Sequence, residues 1–231
     1  MSATSIELNN FSVERADQVI IKPINLTINR GKFISVIGHS GCGKSTLLQA
    51  LANFIPHAGY KLLHGQIGYV AQDIGVFPFM TVIDHLKFVT GLSSSAPEIT
   101  KLIDYAGLTK YRDSYPATLS GGQVQRLNFI RAFATKPEIA LCDEPFSALD
   151  EQTRTQMQLW LLDYWQENKS TIIFVTHSTE EALLLSDQVI VLKSGEIAAT
   201  LNIDLPRPRR TELLYSEEFI ELRKELTQTL L

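Results

Sequence analysis

The stretch Phe33-Ile34-Ser35-Val36-Ile37-Gly38-His39-Ser40-Gly41-Cys42-Gly43-Lys44-Ser45-Thr46 decides how the chain folds. Its first five residues are a short run rich in β-branched side chains, the pattern of a strand buried on both faces. The next nine fit G-x-x-x-x-G-K-[ST] and add a second threonine. A helical stretch from Ser45 to Phe54 leaves the motif. A glycine-rich turn between a strand and a helix points successive N–H groups inward, forming an anion nest at the helix N-terminus. Lys44 would reach the β- and γ-phosphates of a nucleoside triphosphate there, and the Ser45 hydroxyl would ligate Mg2+. Gly38, His39, Ser40, Gly41, Cys42, Gly43, Lys44, Ser45 and Thr46 are therefore candidate nucleotide-binding residues. Cys42, close to the lysine and the helix dipole, is read either as a thiol of depressed pKa or as a small residue that merely fits.

Two further runs, Ile139-Ala140-Leu141-Cys142 and Thr171-Ile172-Ile173-Phe174-Val175-Thr176, read the same way as Phe33–Ile37. Helical character lies between them, as in Gln123 to Ala134. The alternation predicts an α/β domain built on a central, mostly parallel sheet. Ile6–Val13 and Val19–Ile28 read as a small antiparallel β layer, and Ser186–Ser194, closed by Gly195, as a late strand. From about Thr81 to Leu119 helical character dominates, broken at Ser93-Ser94-Ser95-Ala96-Pro97. That places a helical subdomain at about 81–135, inserted in a domain spanning 1–204. Residues 205–231 form a tail. Leu205-Pro206-Arg207-Pro208-Arg209-Arg210 is an extended basic connector. Ser216 then caps a helix with Phe219, Leu222, Leu226 and Leu230 at helical spacing, a stripe that favours docking on its own domain.

Asp143-Glu144-Pro145 end the Ile139–Cys142 run. At the carboxyl end of a parallel strand, such side chains project into the crevice where ligands bind. With a phosphate cradle upstream, Asp143 is the candidate to hold Mg2+ or its waters. Glu144 is the candidate general base, free to polarise an attacking water. His177 ends the Thr171–Thr176 run, so it belongs on the same sheet edge and within reach of a γ-phosphate. Leu119-Ser120-Gly121-Gly122-Gln123 opens a helix with a natural cap, Ser120, and two glycines that expose backbone N–H groups. Standing alone it would be an ordinary turn.

The order of these motifs resembles that of the ATP-binding cassette (ABC) ATPases over roughly residues 5–200. Gly38–Thr46 resembles Walker A, Gln72 in Tyr69-Val70-Ala71-Gln72-Asp73 the Q-loop, and Leu119–Gln123 the signature. Ile139–Pro145 resembles Walker B, Ser147-Ala148-Leu149-Asp150 the D-loop, and His177 the switch. The resemblance implies a P-loop NTPase fold, ATP and Mg2+ as ligands, and ATP hydrolysis. It implies that Ser120, Gly121, Gly122 and Gln123 of one subunit close over ATP in the cradle of a second, identical or related, chain, with a homodimer as the expected form. It also makes Gln72 a contact for Mg2+ and water, a catalytic and metal residue that couples the site to transmembrane permease subunits. Members usually stack an aromatic residue on adenine; here Arg15 or its neighbours stand at that place, and an arginine plane can also stack on a base. Gly75-Val76-Phe77-Pro78-Phe79-Met80 is the candidate apolar surface for the permease, with packing inside the helical lobe as the other reading.

The 231 residues, 45% hydrophobic and 20% charged, supply a sizeable core. A net charge of −4 argues against a polyanion-binding face, so nucleic acid is not an expected partner. No basic segment followed by an apolar run opens the chain, and no stretch approaches the roughly 20 apolar residues that span a bilayer. Two distant cysteines give no disulfide scaffold. The expected location is cytoplasmic, peripheral on the inner face of the cell membrane. Gly38–Leu48 and the Pro/Arg tail resemble the importer branch that serves nitrate, sulfonate, taurine, bicarbonate and pyrimidine precursors, which adds a solute-binding protein as a partner. The alternatives are a soluble ABC ATPase, such as a cluster-assembly factor, and a regulatory ATP-binding module. The presence of Lys44, Asp143, Glu144 and His177 together weighs against the last.

Overall fold

The computed structural model describes residues 4–72 and 75–230; Asp73, quoted above beside Gln72, lies outside them. Strands β1 (Thr4–Arg15) and β2 (Gln18–Asn29) pair antiparallel, and β3 (Phe33–Ile37) enters the main sheet. Helix α1 (Lys44–Leu51) and strands β4 (Ala58–Leu63) and β5 (Ile67–Val70) follow. Then come α2 (Val82–Thr90), α3 (Pro97–Tyr105) and α4 (Gly121–Phe133), the helical lobe. The chain returns through β6 (Ile139–Asp143), α5 (Glu151–Asn168), β7 (Thr171–Val175), α6 (Thr179–Leu185), β8 (Gln188–Lys193), β9 (Glu196–Asn202) and α7 (Glu217–Leu230).

The main sheet runs in the order β5-β6-β7-β3-β8-β9, parallel except where β9 pairs with β8. Every residue of β3, β6 and β7 is buried, which is why these strands show continuous apolar runs rather than alternation. Because the same three strands are adjacent and parallel, their carboxyl ends share one edge. The Gly38–Thr46 loop, the Asp143-Glu144 pair and His177 therefore converge, and Gln72, following β5, stands next in line. A second sheet, β2-β1-β4, is antiparallel.

The sheet is covered on both faces. One face packs against α1 and the antiparallel layer, with Ile34, Val36, Leu47, Leu48, Ile6 and Leu8 in one apolar cluster. The other carries an aromatic cluster that includes Phe33, Phe129, Phe133, Phe146, Trp160 and Phe174. Each such side chain contributes about 1.5–3 kcal/mol on burial.

The helix expected over Ser45–Phe54 ends earlier, at Leu51. Asn53 turns left-handed at φ 61°, and Lys61 of β4 donates its Nζ to the carbonyls of Ala50 (2.7 Å) and Leu51 (3.2 Å). A cation on the terminal carbonyls closes a helix by both hydrogen bonding and dipole attraction. Helix α4 starts at Gly121 rather than Gln123, because Ser120 is already its N-cap. The basic connector is stapled down. Arg209 is buried and donates to the carbonyls of Leu183, Ser186, Ile203 and Leu205; burial lowers its pKa to about 10. Arg207 pairs with Asp187 at 2.7 Å and lies over the Trp165 ring. Beyond it, Ser216 accepts from the Phe219 N–H, and α7 buries Phe219 and Leu226 against α6 and β8.

Candidate active site

A cleft of about 300 Å3 opens on this edge, lined by Arg15, Ile20, Ser40, Gly41, Gly43 to Thr46, Gln72 and Glu144. The loop that floors it needs glycine for a steric reason. A Cβ on Gly38 would stand 2.1 Å from the carbonyl oxygen of Leu192 in β8 and 2.7 Å from Cys42 Sγ. The Cys42 side chain is only 8% exposed and belongs to the apolar cluster of Leu47 and Leu48, so it fills space under the loop. Of the two readings of Cys42, the small residue that fits describes its side chain.

Lys44, 7% exposed, folds over its own loop, donating Nζ to the carbonyls of Gly38 (2.8 Å) and His39 (3.0 Å). An ammonium and a helix N-terminus thus face the same cleft, the arrangement that favours an anion. The His39 ring stands outside and contacts the Leu230 carbonyl, at the end of α7, at 2.9 Å. Ser45 donates its hydroxyl to Asp143 Oδ1 at 3.0 Å, and Asp143 is 2% exposed. Two hard oxygens held together, one at the end of β6 and one in the first turn of α1, fit a divalent cation such as Mg2+.

Glu144 is a non-glycine residue at φ 45°, and its Oε2 lies 3.5 Å from His177 Nδ1. Its own carbonyl accepts from the Ser147 hydroxyl (3.0 Å) and the Ser147 N–H (3.2 Å). Cradle, acid pair, Gln72 and His177 are therefore brought together. Ser120–Gln123 are not: among the described residues lining the cleft none comes from them. Instead they open α4 with a capping box, in which Ser120 N–H donates to Gln123 Oε1 (2.8 Å) and Gln123 N–H to Ser120 Oγ (3.3 Å). Gly121 is exposed, and a Cβ there would meet nothing within 4 Å among the described residues outside its own helix backbone.

Four polar residues that sequence reading did not single out hold the site from beneath. Gln125 clamps the loop after β6. Asn128, fully buried, donates to the carbonyl of Ala71 at 3.1 Å and so fixes the approach to Gln72. Arg131 donates to Gly75 O (2.5 Å) and Asn128 Oδ1 (2.8 Å), and burial holds its guanidinium below its ordinary pKa. The buried ring of His85 accepts from the Phe77 N–H at Nε2 (2.9 Å) and contacts Thr81 O through Nδ1 (2.8 Å), which assigns the proton to Nδ1. Burial first, then Arg131, lowers its pKa. Above it sits an aromatic patch: Phe77, Phe79 and Phe88 are 39%, 70% and 64% exposed, with centroids 5.7–5.8 Å from Phe77 to the other two.

A profile of the ABC transporter family matches residues 21–147, from before the cradle to beyond the acid pair. This chain belongs to the ABC transporter family. An ABC transporter ATP-binding protein of Methanocaldococcus jannaschii, uncharacterised, is 42% identical over 224 residues, covering 90% of this chain and 82% of that protein. The aliphatic sulfonates import ATP-binding protein SsuB of Delftia acidovorans is 36% identical over 231 residues, covering 99% and 95%. A dimeric ATP-binding cassette solved in a post-hydrolysis state with ADP and Pi is 26% identical, with a TM-score of 0.78, covering 87% of this chain and all of that one. This ABC cassette is an ATPase. No helix of the described residues is long and apolar enough to cross a membrane.

Proposed function

We propose that this ABC ATPase powers an importer of a small solute, working as one of two identical subunits seated on a permease at the inner face of the membrane, with a solute-binding protein on the other side. Two features support the pairing. Each chain carries one phosphate cradle and one signature helix, and among the described residues none of Ser120–Gln123 lines the cleft. Gly121 also has open space around it, so its lack of a side chain answers no need of the described residues of its own subunit. In the pair, Ser120, Gly121, Gly122 and Gln123 would close on the ATP held by the partner's cradle.

Within one site the residues have distinct tasks. Lys44 and the loop N–H groups would hold the phosphates, Ser45 and Asp143 would hold Mg2+, and Gln72 would contact the metal and the water. Mg2+ supplies neutralisation of phosphate charge when bound. Glu144 takes a proton from the water that attacks the γ-phosphorus, the bond to the β-phosphate oxygen breaks, and ADP and phosphate leave. His177, beside Glu144, orients that water against the γ-phosphate. Arg15, on the cleft wall, offers its plane to the base.

The observation that carries the transport reading is the Phe77-Phe79-Phe88 patch. Three large rings exposed next to the Q-loop form an apolar surface of the kind that marks a protein contact. The sulfonate-importer naming of a full-length relative agrees with it. Co-purification from a detergent extract tests it. A polytopic membrane protein should follow the parent chain and be lost with Phe79→Glu, while ATP affinity stays unchanged. Recovery in a purely soluble complex would overturn the reading in favour of a cluster-assembly or other soluble ABC ATPase.

A further inference from the structure

We infer that Gln125 is a positioning residue that couples the signature helix to the general base, Glu144. Gln125 lies on α4 five residues past Ser120 and is 4% exposed. Both ends of its amide are used on one loop. Oε1 accepts from the Ala148 N–H at 3.1 Å, and Nε2 faces the carbonyl of Glu144 at 3.4 Å and the Ser147 hydroxyl at 3.5 Å.

The target of that clamp is the strained residue of the site. Glu144 holds φ at 45°, a left-handed conformation that a non-glycine residue keeps only where its surroundings over-determine it. Its N–H is tied to Val175 O at 3.0 Å, and its carbonyl to the Ser147 N–H and hydroxyl. Those ties come from β7 and from the loop itself. Among the described residues, Gln125 is the contact that reaches the same carbonyl from the helical lobe, so the backbone that aims the Glu144 carboxylate answers to the position of α4. The N-terminus of α4 is the element that would grip the partner's ATP. Gripping that ATP settles α4, and Gln125 passes the setting to Glu144 in its own site. Each site then hydrolyses only when the other is filled.

This coupling rests on Glu144 being the base, and the two can fail separately. In Gln125→Leu, kcat for ATP should fall about 10- to 100-fold, the loss expected of a misplaced catalytic group. The dissociation constant for Mg-ATP should stay within about twofold, and the Hill coefficient for ATP should fall towards one. Ser147→Ala, at an exposed position that folding tolerates, should lower kcat about threefold in the same sense. In a Glu144→Gln background, Gln125→Leu should lower the residual turnover no further. Unchanged kcat and cooperativity in both clamp variants, with Glu144→Gln inactive, would overturn the coupling alone. A clamp variant that weakens ATP binding with kcat intact would also overturn it. Turnover at the parental rate in Glu144→Gln would overturn the assignment of the base instead.

Discussion

The two glycine-rich helix starts of this chain, Gly38–Thr46 before α1 and Ser120–Gln123 before α4, differ most at one glycine each, Gly38 and Gly121; Gly41 is also open, and Gly122 lies against Leu149. At Gly38 the chain itself forbids a side chain, since a Cβ would lie 2.1 Å from a backbone oxygen of β8. At Gly121, among the described residues, nothing beyond its chain neighbours and its own helix backbone lies within 4 Å of the same atom. The first loop is built into its own domain, over the buried Cys42 and under a lysine folded across it. The second is finished by a local capping box and then left in solvent. A glycine whose absence of side chain serves no neighbour in its own subunit points outward, to something that arrives.

Substitution at the two positions separates these roles, and the largest effect belongs to the cradle. Gly38→Ala must displace the β8 backbone or the loop, and should cost about 3 kcal/mol or more, read as a lower melting temperature together with lost ATP binding. Melting and ATP binding like the parent's would show that the loop can yield and that the contrast is false.

Gly121→Ala comes next. Single-chain ATP affinity should be unchanged, while turnover at saturating ATP falls about tenfold or more, because the methyl would stand where the partner's nucleotide is closed over. Full turnover in Gly121→Ala would remove the steric part of the pairing.

The bridge between the Q-loop and α2 gives a smaller, pH-dependent effect. Burial and Arg131 hold the His85 pKa below its ordinary value, against the opposing pull of Thr81 O and Asp84. The unfolded chain therefore binds a proton more readily than the folded one. The His85 contribution is present at and above about pH 6.5, and stability is lost as pH falls through and below that value. Protonated Nε2 would also face the Phe77 N–H donor-to-donor. The fall in melting temperature between about pH 7.5 and 5.5 should shrink in His85→Leu. An equal fall in both proteins would place the acid sensitivity elsewhere.

The smallest expected effect is also the sharpest control. On the stability of the isolated subunit, Gly121→Ala should be neutral or stabilising by up to about 1 kcal/mol, since alanine favours a helix and the site is open. Loss of stability there would mean that the signature is held by its own chain after all.

The sheet and the edge of the site were legible because they are written in continuous patterns. Phe33–Ile37, Ile139–Cys142 and Thr171–Thr176 are unbroken runs, and the residues that follow them carry the chemistry. The strands β4, β5 and β9 went unread: β5 has four residues, β9 alternates half-buried with exposed positions at a sheet edge, and β4 is largely exposed. The supporting residues were hidden for a different reason. Gln125, Asn128 and Arg131 read as the polar face of a helix, yet each turns inward to a loop far away in sequence, and no local period marks that. Lys61 closing α1 and Arg209 binding four carbonyls are long-range in the same way. The helix stripe at Phe219, Leu222 and Leu226 was legible, and so was the exposed Phe77 and Phe79 pair, because apolar side chains must be covered somewhere.

Sedimentation of Glu144→Gln with and without Mg-ATP tests the shared site most directly. The variant should bind ATP with only residual turnover, and should shift from monomer to dimer on ATP, with the shift abolished by Gly121→Ala in the same chain. A monomer at saturating ATP, or a parent whose rate per chain does not change on dilution, would contradict it.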